Sequence, residues 1–417
     1  MGRVSLLALG LISVSVAMFA QQPPAKTLDI YVIDVEGGHA TLYVGPNGES
    51  VLEDTGSPGG RDTDRIMEAI TAAGVKQIDH LILTHYHVDH VGGFTELAKR
   101  IPIKHFIDHG PTVETREQVA NFQKLYADAY AQGQHTVAKP GDKIPFGPVD
   151  LTVVTSAGQV IKKPLPGGGK PNPGCAEFQP RDEARVELEN MQSVGVVYTY
   201  GKFRMVNLGD FTWNLEKELM CPNNPIGKVD VYLTSHHGID QSGSPALVHG
   251  LQPEVAIMHN SSRKGGVEQT MKVLYTSPGL QDVWQLHWAY GGGLDYNAPG
   301  LFIANLEDPA ALAASLTSPQ PAAGGRGPGP GGPPQQGAPA GAPPAGQPPA
   351  AGAAPGAGAP PAGRGMGMGG MGMGGFGGGR GGHNSGPAYW IKVSAKADGS
   401  FTVTNSRNNF SKTYNAH

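Results

Sequence analysis

Cysteine is scarce: the 417 residues hold only Cys175 and Cys221. Neither has the spacing of a thiolate ligand pair, so a bound metal has to be held by imidazole and carboxylate. Both lie in loop-like contexts, Pro173-Gly174-Cys175 and Met220-Cys221-Pro222. An even count in an exported chain allows one disulfide, and two free thiols are the other reading. A basic excess is missing too: 31 Lys and Arg face 35 Asp and Glu, a net charge of -4. That balance argues for one large catalytic domain and against a basic nucleic-acid binder.

Long apolar runs are equally few. One extends from Val4 to Ala20, after Met1-Gly2-Arg3 and before the break at Gln21-Gln22-Pro23-Pro24. It reads as a secretory signal peptide over residues 1–20, with small residues at Ala17 and Ala20 offering two cleavage points. The expected location is secreted or periplasmic, with no membrane span once the leader is cleaved. An uncleaved anchor is the alternative, the run being at the short edge for a spanning helix. No Cys follows to accept a lipid. Periodicity is absent from Ser318 to Pro387, a Gly, Ala and Pro stretch that cannot bury a core and reads as a disordered insert over 318–387.

What the chain does have is Thr84-His85-Tyr86-His87-Val88-Asp89-His90, placed after the apolar run Leu81-Ile82-Leu83 and before Val91-Gly92-Gly93. Four side chains able to bind a metal sit within six residues. A strand puts alternate residues on one side, so the turn after Leu83 can aim His85 and His87 into one pocket and swing Asp89 and His90 toward its neighbour. That is the local geometry of a two-metal site with an open position for water.

These residues resemble the metallo-β-lactamase superfamily, whose signature is HxHxDH at a strand end. Asp34-Val35-Glu36-Gly37-Gly38-His39-Ala40 and Leu52-Glu53-Asp54-Thr55-Gly56 look like that family's opening motifs. Asn190 with Ser193, Leu208-Gly209-Asp210 and Thr234-Ser235-His236-His237-Gly238 resemble those of one branch, the hydrolase domain of ComEC-type DNA-uptake proteins. The resemblance spans roughly residues 28 to 260. It implies an α/β (α+β) fold, an αββα sandwich of two mixed sheets flanked by helices, holding one or two Zn2+ ions, with Mn2+ or Fe2+ as alternatives. It also implies that Asp54 supports the ligands through hydrogen bonds. His39 stands where the ComEC branch usually has Asp.

Further along, Asp62 to Ala73 has helical spacing, Ile78 to Leu83 strand character, and Thr95 to Arg100 continues as a helix. Ile101 to Ile107 is a strand that ends near His109, a candidate ligand or substrate contact. Glu114 to Ala131 is helix-competent. Between Ile161 and Arg185 the chain is rich in Pro and Gly, either a lid loop near the site or a disordered surface loop. Val194 to Tyr200 and Phe203 to Leu208 form a hairpin that delivers Asp210, a carboxylate able to bridge two cations.

In most of the superfamily a His precedes that point and completes the first metal's set; here the matching stretch is Glu189-Asn190-Met191-Gln192-Ser193, without one. Val229 to Thr234 ends in His236 and His237. One of the pair is expected as a ligand, and the other is free to donate a proton or touch substrate. The resemblance implies that strands ending in His259-Asn260 and in His287, with Lys264 in a Gly-rich turn after the first, line the substrate side, where Lys264 can meet an anionic group; a plain surface position is the other reading.

Tyr389 to Val393 and Phe401 to Thr404, across Asp398-Gly399, form a hairpin that belongs to the domain before the insert. The expected map is therefore a catalytic domain over 27–317 completed by a hairpin over 388–417. The expected activity is a metal-dependent hydrolase acting through an activated water, with Asp89 both ligand and orienter of that water. Its substrate class is a small molecule or phosphoester, a phosphodiester included. A lactam, lactone or thioester hydrolase, an iron-dependent redox enzyme and a non-enzymatic binding protein are the alternatives. Nothing in the sequence fixes an oligomeric state.

Overall fold

The alternating apolar residues after position 26 build a meander: β1 (Leu28–Val32) and β2 (Thr41–Val44) pair antiparallel, as do β2 and β3 (Ser50–Glu53). The computed structural model describes residues 26–115, 117–182, 188–306 and 388–415. The expected leader and insert lie outside them.

After β3 the connections lengthen. Helix α1 (Arg61–Ala72) crosses to β4 (Ile78–Ile82), α2 (Val88–Val91) and α3 (Phe94–Leu97) lead to β5 (Ile103–Asp108), and α4 (Glu117–Tyr130) to β6 (Gln134–Val137). Strands β3 to β6 are parallel, as crossovers of this length permit.

The second sheet repeats this plan. Its antiparallel part holds β7 (Lys143–Ile144) and β8 (Asp150–Ser156), to which β9 (Gln159–Val160) is appended; a small ribbon, β10 (Lys170–Pro171), branches off before β11 (Gly195–Tyr200) and β12 (Phe203–Asn207). Then α5 (Trp213–Met220), the ribbon's partner β13 (Asn223–Asn224), β14 (Val231–Leu233), α6 (Pro245–Leu251), β15 (Val255–Met258), α7 (Glu268–Tyr275), β16 (Asp282–His287) and β17 (Ile303–Asn305) follow. Strands β12, β14, β15, β16 and β17 are parallel neighbours. The chain closes on the first sheet through β18 (Ile391–Ala395), β19 (Phe401–Asn405) and β20 (Ser411–Tyr414), with β18 antiparallel to β1.

Among the described residues each main sheet has nine strands, counting the short β9. Val51 points between the sheets, in a core shared with Ile30, Val196, Met205 and Leu233. Leu52, the next residue, faces Ile66 and Ile70 of α1, which is the period-two alternation of a strand buried on both sides. Leu247 and Leu251 of α6 and Leu274 of α7 cover the second sheet's outer face. The layers run α, β, β, α, the arrangement the motifs imply. Each such aliphatic side chain, fully buried, contributes roughly 1.5–3 kcal/mol.

Three expectations need correction. The Pro- and Gly-rich segment, as far as residue 182, is not a loose loop: the β10–β13 ribbon pins it, a Cys175–Cys221 disulfide ties it to the end of α5, and Arg181 stacks 3.4 Å from the Trp213 ring centre. The two thiols are therefore not free. The helix behind the signature is only Phe94–Leu97, and the terminal hairpin gains a third strand whose Tyr414 packs on Phe401.

Candidate metal centre

Both sheets present the C-terminal ends of their parallel strands to one cleft. The end of β4 hands over to Thr84–His87, and His87 caps α2 with extended backbone (φ -68°, ψ 149°), so that Asp89 and His90 fall in the first helical turn. His85 Nε2 and His87 Nδ1 come within 3.0 Å of each other. Across the cleft, β12 delivers Asp210 through Gly209, whose φ of +55° and approach to Thr84, 2.8 Å from where a Cβ would stand, leave room for glycine only. The end of β14 passes through His236 (φ 52°) and His237 (φ 56°), two successive left-handed non-glycine residues. Such backbone costs about 1–3 kcal/mol per residue and persists where the surroundings over-determine it, commonly at functional sites.

One group of four candidate ligands converges. His90 Nε2 lies 3.3 Å from His237 Nε2, 3.3 Å from Asp210 Oδ2 and 3.7 Å from Asp89 Oδ2. His237 Nε2 lies 3.4 Å from Asp89 Oδ2 and 3.5 Å from Asp210 Oδ2. A tetrahedral ion with bonds of ~2.0–2.1 Å separates its ligand atoms by ~3.3–3.4 Å. Five of the six edges of such a tetrahedron are thus already at or near their length, and the donors fit a divalent cation.

The second set answers the missing histidine. His85 Nε2 lies 3.8 Å and His236 Nε2 3.4 Å from the same Asp210 Oδ2. Asn190 Nδ2 is 3.4 Å from His236 Nε2. An imidazole from β14's end therefore occupies the neighbourhood of the residue where sequence alone shows none. His236 and His237 both approach Asp210 Oδ2 but have different further partners, Asn190 for His236 and Asp89 with His90 for His237.

Most of the remaining polar residues hold these ligands in place. Asp54 accepts from the Thr84 amide (2.8 Å) and hydroxyl (2.7 Å), and His90 Nδ1 lies 2.7 Å from its Oδ2. His39 spans Asp54 (3.0 Å) and Asn207 (3.1 Å). His237 Nδ1 is 3.1 Å from the His259 carbonyl, which can only accept, so Nε2 keeps its lone pair for the cleft. His259 itself meets Thr41 through Nε2. Ser193 Oγ accepts from the Asp210 amide and donates to the Asn190 carbonyl. The Lys264 ammonium contacts Asp89.

Burial opposes ionisation of Asp210, but His236, His90 and His237 outweigh it and hold the carboxyl well below its ordinary range. Asp89 is depressed likewise, by Lys264 and His90 against its burial. Burial, with some help from neighbouring His237 and Lys264, pushes His236 down to about 3, and burial with His90 and His87 keeps His85 neutral. Neutral imidazoles and ionised carboxylates are the forms that bind metals.

Other expected residues lie apart from these ligands. His109 is committed to Glu189 at 2.8 Å, His287 to Asp34 at 2.8 Å, and Asn260 bridges Ser261 and His287 main-chain groups. Sequence reasoning overlooked Glu189, which also accepts from the Tyr86 amide and the Thr112 hydroxyl, and Glu114, 3.6 Å from His87 Nε2. It likewise missed Thr84 and Asn207. Thr84 adjoins His85 in the chain, whereas no spacing signal singles out Glu189, Glu114 or Asn207, whose contacts with the site come from folding.

An αββα sandwich with this rim of imidazoles and carboxylates has the metallo-β-lactamase fold, which usually binds zinc or iron. Residues 33–185 match the family model described as Metallo-beta-lactamase superfamily, whose members are mostly metal-dependent hydrolases. A curated relative, Beta-lactamase-like protein 2 homolog of Caenorhabditis elegans, is 31% identical over 72 residues, 16% of this chain and 24% of that protein. The match thus spans about a quarter of the relative's length. Among solved structures the chain is similar to the metallo-beta-lactamase fold protein YhfI from Bacillus subtilis, with 15% identity, 62% of this chain, 96% of that chain and a TM-score of 0.39. It is also similar to a diphosphatase from the PhnP family, with 14% identity, coverage of 61% and 94%, and a TM-score of 0.35.

Proposed function

We propose that this chain is an exported metal-dependent hydrolase of phosphoesters or phosphodiesters, built around two cation positions that share Asp210. The observation that carries it is the near-tetrahedral set of Asp89, His90, Asp210 and His237. His85, His87 and His236 gather on the other side of Asp210 for the second position. Zn2+ suits these donors, as do Mn2+ and Fe2+. Divalent cations held there supply Lewis acidity, drawing a coordinated water's pKa toward neutrality and withdrawing charge from the group under attack.

The protein's own residues do the rest. Asp89 is at once a ligand and, through its second oxygen, an acceptor that orients the attacking water. Lys264, in contact with Asp89 and about a third exposed at its side chain, is placed to meet the negative charge of a phosphoryl group. His85, His90 and His237 are buried, so bulk water is excluded where charge develops. Likeness to the ComEC-type branch in the Asn190, Gly209-Asp210 and His236-His237-Gly238 motifs supports the phosphodiester reading. The apolar run at Val4 to Ala20 supports export.

Protein purified without added metal, analysed for bound ions and assayed on phosphodiester, lactone and lactam reporters, tests this reading. Up to two divalent ions per chain and phosphodiester hydrolysis are expected, both falling in Asp210→Ala. Full activity in metal-free protein overturns the hydrolase mechanism, and activity on lactone or lactam alone moves the substrate to the carbonyl class.

A further inference from the structure

A groove of about 1150 Å³ lies on the antiparallel half of the second sheet, walled by β8, β11 and the 158–166 loop, and none of the metal-centre residues lines it. Six cations do: Lys139, Lys143, Lys162, Lys163, Lys202 and Arg204. The carboxylates lining it are Asp150, paired with Lys143 at 2.5 Å, and Glu218. The overall charge of -4 conceals this local excess.

Four of the cations are uncommitted. Among the described residues, Lys139, Lys162, Lys163 and Lys202 enter no ion pair, although Asp398 lies near enough to Lys202 to feel its charge. All four are exposed. Arg204 is fixed in place, donating to the Lys228 and Ile226 carbonyls at 2.8 and 2.7 Å. The walls are preformed as well: Ile161 and Leu165 donate their amides to the Val154 and Pro225 carbonyls, and Gly141 to that of Val153. A rigid concave surface with unpaired charge of one sign focuses potential on a ligand of the other sign.

We propose that this groove binds a linear polyphosphate-type anion, recognised through its charge. Several phosphates on one chain can meet several lysines lining one groove, since an ammonium meets phosphate as a point charge. No lining residue is aromatic, so the groove lacks the stacking platform on which single-stranded nucleic acid binding relies. The chain's own long remaining segments match it poorly: residues 1–25 contain no Asp or Glu, and residues 307–387 contain only Glu307 and Asp308. The proposal stands independently of the chemistry at the histidine cleft.

The test is calorimetric binding of inorganic polyphosphate of about 15 phosphates to the full-length protein at roughly 50 and 200 mM salt. With four lysines engaged and a slope of about -0.7 per phosphate, affinity falls about 50-fold over that interval. Replacing Lys139, Lys162, Lys163 and Lys202 together with Gln is expected to weaken binding at the lower salt at least tenfold, with the melting curve unchanged because the side chains are exposed. Asp210→Ala is expected to bind polyphosphate as the natural protein does. Undiminished binding by the quadruple variant, or its loss in Asp210→Ala, overturns the proposal, the latter by placing the anion at the metal centre. An oligothymidylate of equal charge binding ten times more tightly than polyphosphate overturns it in favour of nucleic acid.

Discussion

His90 Nδ1 stands 2.7 Å from Asp54 Oδ2, a carboxylate with no proton to give, so this nitrogen carries a hydrogen and Nε2 is the atom left to face His237 and Asp210. Without a cation, three carboxylates surround this ring: burial works against its charge, yet Asp210, Asp54 and Asp89 prevail and lift it to about 10. A metal entering the set takes over that charge-balancing role and displaces the proton. Asp54→Asn removes the acceptor charge while keeping the shape, and metal affinity is expected to fall 10- to 100-fold. A chelator competition with unchanged affinity would show that Asp54 is only part of the turn.

The two histidines after β14 should separate in a metal count. His237→Ala opens the Asp89, His90 and Asp210 set, whereas His236→Ala weakens the His85 and His87 side. The better-formed set is expected to hold its ion more tightly, and a tenfold gap corresponds to about 1.4 kcal/mol. Graded chelation of the natural protein should therefore release one equivalent before the other. His236→Ala should lose the first-released ion alone, and Asp210→Ala both. Asn190→His adds a donor beside His236 Nε2 and should narrow the gap. Simultaneous release, unaffected by Asn190→His, contradicts this assignment.

Deleting residues 318–387 and joining the flanks with a short Gly-Ser linker is expected to leave melting temperature and metal content nearly unchanged. The flanks already meet, since the Tyr389 amide donates to Asn305 Oδ1 at 2.9 Å and Asn305 Nδ2 to the Tyr389 carbonyl at 3.0 Å. Closing a long loop costs little more than closing a short one. Failure of the shortened chain to fold would make the insert structural.

Glu53 gives a pH dependence with a definite sign. Burial raises its carboxyl from 4.5 to about 7, in spite of hydrogen bonds from Tyr43 and Asn207. Between those values the native state binds more protons than the unfolded one, so stability falls as pH rises and levels off above about 7. The loss attributable to this group is at most about 3 kcal/mol. Glu53→Gln should flatten that part of the profile, in denaturant titrations at pH 5 and pH 8, by raising stability at pH 8 relative to pH 5. An identical profile in the variant refutes the assignment.

Much of the scaffold is legible in the chain, because strand alternation and helix spacing are local properties. Val255–Met258 and the hairpin of Gly195–Tyr200 with Phe203–Asn207 fall where periodicity puts them. Clustering of His85, His87, Asp89 and His90 is fixed by sequence distance alone. What folding decided concerns groups far apart in sequence: 147 residues separate His90 from His237, and 103 separate Tyr86 from Glu189. No local pattern encodes such pairs, since each residue's role depends on which strand ends the two sheets bring together. The missing histidine shows it best. A search along the chain stops at Asn190, whereas the structure brings His236 to it from another strand, through a backbone conformation that only the surrounding core can impose.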